Sequence, residues 1–315
     1  NYSVFSKINN NISMSFKLTD LYNPIVNDNY NILDIAIYDA LFNNIDTIYN
    51  INIEDGFYTP VQMQTELTNK FNEIITETIT AFFEEHPTEY SLATELFNTY
   101  DRFTIVYNEV SQNLWFGNNA DNFTIKNEHS AELYKQETDR SCIKRSLLPN
   151  NYNWGLPPFL GFTRKDVAGK YSTTKPIPRF YYGNVVGIDD GYWCVPVLPG
   201  ATVYTVSAPL KINFMGPAYM YMEIPGLNCI DETSPYSKNS YTEHTNGGTS
   251  IVDSCFSKIP IPTTPIGQWF DGDLAPYKYY NPPLERLRKI HVKMRYHDGQ
   301  IVNFGSFNYS FMIEL

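Results

Sequence analysis

The sequence predicts a mainly β fold, an antiparallel β-sandwich with one covering helix. Three observations carry that expectation. Short segments alternate apolar and polar residues with a period of two, which is the signature of half-buried strands. The 20 Pro and 17 Gly are scattered along 315 residues, which places turns between many short strands. Residues 60–85 alone repeat apolar residues at a clear helical spacing.

Taken in order, Ser13–Leu18 alternates weakly and reads as a first strand. Ile32–Phe42 (ILDIAIYDALF) reads as a strand, with Leu33, Ile35, Ile37 and Leu41 on one face and Asp34, Ala36 and Tyr38 on the other. Asn43-Asn44 is a turn signal, and Thr47–Glu54 alternates again through Tyr49, Ile51 and Ile53, so the two segments read as a hairpin. Asp55-Gly56 is a further turn. Thr59 is then placed as an N-cap, Pro60 as the first helical residue and Gln62 as the partner in a capping box. Met63, Leu67, Phe71, Ile74, Ile75 and Phe82 follow on one helical face, and Pro87 ends the helix. Its expected task is to cover an open end or edge of a sheet.

Strands resume at Phe103–Val110, Leu114–Phe116 and Phe123–Lys126. Glu128–Asn153 is polar and irregular. Trp154–Phe162 (WGLPPFLGF) is apolar but rich in Pro and reads as a buried turn, and Arg164–Pro178 reads as a loop. Arg179–Val197, Ala201–Phe214, Tyr219–Ile224 and Ser250–Ile261 read as strands, separated by a polar loop over Asp231–Gly248. Pro262–Pro283 is a Pro- and Tyr-rich connection. The chain ends in a predicted hairpin, Leu287–Tyr296 and Phe304–Leu315, around His297-Asp298-Gly299. These strands suffice for two sheets of four, and there is no internal repeat.

Composition narrows the function classes. The net charge of -11 argues against bulk nucleic-acid binding, which needs a basic surface to displace counterions. Aromatic residues reach 16%, led by 25 Tyr, a residue suited to half-buried sheets and interfaces. Cys142, Cys194, Cys229 and Cys255 form no C-x-x-C pair, so they read as free thiols rather than zinc ligands. Asn122-Phe-Thr124 and Asn308-Tyr-Ser310 match the glycosylation acceptor pattern by chance in an Asn-rich chain. No apolar run reaches membrane-spanning length, and no signal-peptide pattern is visible in a sequence that starts at Asn1.

No enzyme signature emerges. Glu84-Glu85 and Asp189-Asp190 are adjacent pairs whose side chains point apart, so neither forms an acid/base couple. His86, His129, His244, His291 and His297 make no H-x-H or H-E-x-x-H pattern. There is no G-x-S-x-G, no P-loop and no G-x-G-x-x-G. Cys194 and Cys255 have no feature that points to an activating base. The chain is therefore expected to be no enzyme, with no catalytic residue, no cofactor and no metal. A jelly-roll enzyme would need clustered His and carboxylates.

One pattern stands out. Lys289, His291, Lys293 and Arg295 alternate with Ile290, Val292, Met294 and Tyr296, giving a ladder of cations opposite an apolar face. Such a ladder is the solvated face of an amphipathic strand or an electrostatic contact with an acidic neighbour or packaged nucleic acid. In a chain this acidic, a neighbouring subunit is the favoured partner. Tyr181-Tyr182, Tyr219, Tyr221, Tyr277, Tyr279 and Tyr280 read as core or interface aromatics, with sugar stacking as the alternative.

A series of motifs carries a family resemblance. It comprises Tyr219–Ile224 (YMYMEI), Ser254–Pro260 (SCFSKIP), Pro283–Leu287 (PLERL), Ile290–Asp298 (IHVKMRYHD) and Tyr309–Leu315 (YSFMIEL), with Asp55–Leu67 (DGFYTPVQMQTEL) and Leu160-Gly161-Phe162 upstream. The series resembles penton and minor capsid proteins of the double-jelly-roll DNA virus lineage, most closely virophage pentons of the Sputnik type. Residues 128–203 match thinly. The resemblance implies a single jelly roll, residues 1–127 and 204–315, carrying a β-rich insertion at 128–203. It implies a structural virion protein made in the host cytoplasm, a homopentamer closing the five-fold vertex and touching major capsid protein capsomers. Host-surface or fibre contact would run through the insertion, with no specific nucleic acid and no membrane span. A minor capsid protein cementing capsomers is the close alternative, and a lectin-like carbohydrate-binding module is the alternative of a different class. Lys289, Lys293, Arg295, Tyr277, Tyr279 and Tyr280 are the expected subunit-interface residues, chosen on charge and aromatic pattern and on no motif.

Overall fold

In the computed structural model every strand pair is antiparallel; the described residues are 5, 7, 11–140, 154–172, 177–178, 191–215, 219–225, 227–228, 255–260, 286–287, 289–296, 301–302, 304 and 310–311. The chain divides into a larger unit, residues 4–140 and 153–214, and a smaller one, residues 1–3, 141–152 and 215–315. The larger unit holds two four-stranded sheets. In the first, β1 (Ser13–Asp20) lies between β2 (Tyr49–Asn52) and β5 (Asn122–Ile125), and a short β6 (Val167–Ala168) follows β5. In the second, the order runs from β3 (Phe103–Asn108) through β4 (Asn113–Asn118) and β10 (Tyr204–Ser207) to β7 (Lys170–Tyr171). A two-stranded ribbon joins β8 (Ile177–Pro178) to β9 (Tyr192–Cys194). In the smaller unit β11 (Tyr219–Glu223) pairs with β12 (Ser257–Pro260) on one side and β13 (Lys293–Arg295) on the other. These units do not coincide with the sequence boundaries at 127/128 and 203/204. Residues 167–171 supply an edge strand to each large sheet, and Trp154, Leu156, Leu160 and Phe162 join the same core as β1 and β3.

The two large sheets share one aromatic-rich core. Met14, Phe16 and Leu18 alternate inward on β1, paired with Ile51, Tyr49 and Phe123 on the flanking strands. The Phe103 ring of the second sheet lies edge-on to Phe16 at 5.4 Å and to Phe123 at 5.1 Å. Sheet faces meeting through interdigitated aromatics in this way make a β-sandwich. The Leu-Gly-Phe step inside the buried turn has a steric cause. Gly161 has φ +88, and a Cβ there would collide with the Leu210 carbonyl, so only glycine fits.

The long helix α2 (Pro60–Glu85) forms where the sequence places it, with its capping box intact. The Thr59 hydroxyl accepts from the Gln62 main-chain N–H, and the Gln62 side chain accepts from the Thr59 N–H. Met63, Leu67, Phe71, Ile75, Ile79 and Phe83 form its buried stripe; Ile74 and Phe82 of the expected face are only partly buried. A second, polar stripe runs beside it and serves β3, the edge strand of the second sheet. Gln64 accepts from the Tyr107 N–H at 2.7 Å and Thr68 from the Ile105 N–H at 3.1 Å. Asn72 answers both main-chain groups of Phe103, at 3.0 Å each, and Thr76 accepts from Tyr100 N–H at 2.9 Å. The match is one of pitch. Four residues of helix rise about 6 Å while two residues of strand advance about 6.7 Å, so from Gln64 to Asn72 each fourth helical residue meets each second edge N–H, and Thr76 continues to Tyr100 just before the strand. The helix therefore closes the edge, the role expected of it.

The expectation of a single helix is overturned. Four helices occur among the described residues, and Ile32–Phe42 is not a strand but α1 (Ile32–Phe42). Nearly every residue in that segment is apolar, so periods of two and of 3.6 fit equally well. Its eleven residues exceed an ordinary strand. The Asn31 side chain caps it by accepting from Leu33 N–H, and Ala36, Ile37, Ala40 and Leu41 go inward at helical spacing. The hairpin expected with Thr47–Glu54 therefore does not form, and β2 pairs with β1 instead. α3 (Ser91–Leu96) and α4 (Asn127–Arg140) were also hidden. α4 is strongly polar, and its anchor is tertiary: the Ser130 hydroxyl accepts from Ser15 N–H at 2.9 Å, and Asn127 donates to the Lys165 carbonyl at 2.9 Å.

A buried polar cluster ties α1 to the turn between β4 and β5. Asp121 is fully buried and accepts from Arg102 Nη1 at 2.9 Å, Tyr100 OH at 2.8 Å and the Tyr22 N–H at 2.8 Å. Arg102 Nη2 lies 3.7 Å from Asp34 of α1. Burial, reinforced by the Asp121 charge, pushes the Tyr100 hydroxyl well above its ordinary pKa.

Two stability outcomes follow from these contacts. Asn72→Ala strips both partners from the Phe103 main chain and should cost about 1–3 kcal/mol in a denaturant titration. Arg102→Met leaves Asp121 charged and buried, and should cost about 3–5 kcal/mol, with less than additive loss when Asp121→Asn is added.

Candidate assembly interface

The cation ladder occupies β13 and the segment before it. Lys293 stands directly across from Glu223 on β11, and Arg295 is its diagonal neighbour. The Glu223 carboxylate takes both, Arg295 Nε at 2.5 Å and Lys293 Nζ at 3.9 Å. The opposite face buries Met222, Ile224, Met294 and Val302, with Val292 and Tyr296 packed against them. Of the strand that the alternation predicts over Leu287–Tyr296, only Lys293–Arg295 forms, with two of its cations answered inside the chain; residues 286, 287 and 289–292 belong to no strand. Lys289 is different. It is exposed, and among the described residues it has no ion pair; Arg286, Leu287, Ile290 and His291 beside it are also exposed. Tyr277, Tyr279 and Tyr280 lie outside the described residues, as do Tyr181-Tyr182 and Asp189-Asp190. Tyr221 is fully buried, and the Lys258 ammonium sits 3.8 Å from the centre of the Tyr219 ring, a cation–π contact that covers that ring.

An acidic groove lies where β2 leads into α2. It has a volume of about 420 Å³ and is lined by Glu54, Asp55, Glu66, Phe57, Tyr58 and Val61, among others. The local turn builds it. Gly56 forms a bridge with Phe5, the Glu66 carboxylate accepts from the Glu54 main-chain N–H at 3.2 Å, and Tyr58 OH donates to the Glu54 carbonyl at 2.8 Å. Burial first, then the charges of Glu66, Glu54 and Asp55, push the Tyr58 hydroxyl up to about 12. The sequence shows here only a turn and a helix start. Glu54 and Glu66 are twelve positions apart, and only the fold brings them together. A second depression of about 430 Å³, at the far end of α2, is lined by Asn43, Asn44, Phe82, Glu85, His86, Glu89 and Tyr90.

Neither depression gathers a nucleophile with a base. The His86 ring lies 2.9 Å from the Phe82 carbonyl through Nδ1, and Glu84 and Glu85 point to solvent. Cys194 is buried beside Gly117, and burial pushes its thiol up to about 12, opposite to an activated nucleophile. Among the described residues no group of His, Cys, Asp and Glu could hold a metal ion, and no helix is long and apolar enough to cross a membrane. A further exposed apolar surface escaped the sequence reading. Ile25 and Val26 stand out on a loop that packs through Asn27 on Gly200, next to exposed Val197, and Tyr22 OH donates to the Pro199 carbonyl at 2.7 Å.

A stretch of 102 residues, 31% of this chain, is 30% identical to the Penton capsid protein P1 of Paramecium bursaria Chlorella virus 1. The stretch covers 52% of that protein, so the likeness spans about half its length. The likeness is thus to a penton capsid protein of a chlorella virus and does not single out the virophage type. No family model matches the chain, and no solved structure matches it.

The burial of Cys194 has a simple chemical readout. In the folded protein at pH 8, Cys194 should resist alkylation as followed by peptide mass spectrometry, and should react within the same interval once denaturant is added.

Proposed function

We propose that this chain is a structural capsid protein that forms the five-fold vertex capsomer of an icosahedral virus particle. The observation that carries the proposal is its likeness to a penton capsid protein, found in a chain whose larger unit is an antiparallel sandwich. In this reading that sandwich is a single jelly roll with its loops at the flanks. The work is done by surfaces, with no reaction and no cofactor. The partners are further copies of the chain and the major capsid protein around the vertex, and the place of action is the virion.

Physical reasoning supports a ring of this kind. Closure requires a heterologous contact, one flank of each copy on the opposite flank of the next. An open sheet edge in such an assembly invites strand pairing in the wrong geometry. The β3 edge is closed by the polar stripe of α2. The ring also demands exposed contact residues, of which Ile25, Val26, Arg286, Leu287, Lys289 and Ile290 are examples.

The test is the mass and shape of the purified protein. Negative-stain images and analytical ultracentrifugation should show rings of five copies, and antibody labelling of particles should mark the vertices. Label spread over the facets would move the chain to a minor capsid role. A stable monomer that takes up a sugar would replace the capsid reading with a lectin-like one.

A further inference from the structure

We infer that the acidic groove between β2 and α2 of one copy receives the cations Arg286 and Lys289 of a second copy, with Leu287 and Ile290 beside them. The inference rests on the assembly reading above and names the partner surfaces within it. Glu54, Asp55 and Glu66 line the groove, and none of them has an ion pair among the described residues. The nearest cation in sequence, Lys70, is bound to Glu73 at 2.7 Å. The carboxylates are held in place. Glu66 accepts from the Glu54 N–H, and Asp55 accepts from the Lys7 main-chain N–H at 3.1 Å. Two apolar side chains share the groove, Phe57 at 46% and Val61 at 54% exposure.

The segment before β13 offers the complement. It alternates exposed cations, Arg286 and Lys289, with exposed apolar side chains, Leu287 at 37% and Ile290 at 39%. It belongs to no strand and to no ion pair among the described residues, whereas Lys293 and Arg295 a few residues on are held by Glu223. Both surfaces are thus mixed charged and apolar, of opposite sign, and without an ion pair among the described residues. In a body of net charge -11 this segment is one place where a second copy meets attraction instead of repulsion. Groove and segment are different surfaces, so the contact is heterologous, the type that closes rings.

Charge reversal tests it. Glu54→Lys with Glu66→Lys, and separately Arg286→Glu with Lys289→Glu, should each weaken self-association by roughly 100-fold or more in sedimentation at low salt. A chain carrying all four changes should recover it. Mixing the two reversed proteins should also restore association, in species with even numbers of copies, because only a contact between copies can be repaired in that way. Thermal melting of each variant confirms folding. Glu54→Gln with Glu66→Gln, which removes charge but keeps hydrogen-bonding side chains, should weaken association in the same direction. Unchanged assembly of the folded reversed variants overturns this docking and leaves the capsid reading standing. A wild-type chain that never self-associates overturns both.

Discussion

A sheet edge enclosed by protein must have its outward N–H and C=O groups answered, because water no longer reaches them. In this chain the answer for β3 comes from a single helix carrying two stripes four residues apart in repeat. The apolar stripe from Met63 to Phe83 fills the core, and the polar stripe Gln64, Thr68, Asn72 and Thr76 hydrogen-bonds the strand. Helix and strand must lie in register for both to work at once. That single constraint sets the angle and offset of α2. It also places the Phe71 ring 4.2 Å from Phe16 and 5.1 Å from Phe103, at the junction of the two sheets. The start of the same helix builds one wall of the acidic groove. Fold and candidate interface therefore share a cause.

Charge is handled differently in the interior and at the surface. Inside, Arg102 and Asp121 neutralise each other among tyrosines and anchor α1, whose apolar sequence could otherwise follow another period. A buried pair of this kind fixes geometry more than it adds stability. At the surface, the carboxylates of the groove and Arg286 and Lys289 before β13 form no ion pair among the described residues. In a body this acidic, a local cationic segment is the kind of surface that attracts a second copy, which is the docking proposed above.

Local signals were strong where one residue type has one reason to be present. The capping box at Thr59, the edge-closing role of α2, the buried turn around Gly161 and the strand at Tyr219 were all legible, since caps, helical periodicity and steric demands act over a few residues. α1 was not, because a segment that is almost uniformly apolar carries no period, and the choice passed to the Asn31 cap and the surrounding core. α4 was not, because its sequence is polar and its anchors, Ser15 and Lys165, are far along the chain. Of the expected interface residues, Lys289 has no ion pair among the described residues, while Lys293 and Arg295 turn to Glu223. The alternation pattern showed their common face but not the carboxylate across the sheet.

By itself, then, the sequence determined the class of fold, the one long helix, the antiparallel character of the strands and the absence of any patterned catalytic motif. These depend on short-range periodicity and composition. Only the tertiary structure decided which strands pair, that the segment from 154 to 171 belongs to the main core, and that Glu54 and Glu66 face one groove. Pairing and groove formation rest on contacts between residues distant in the chain. Many such contacts are compatible with one pattern of alternation, and the packed core selects among them.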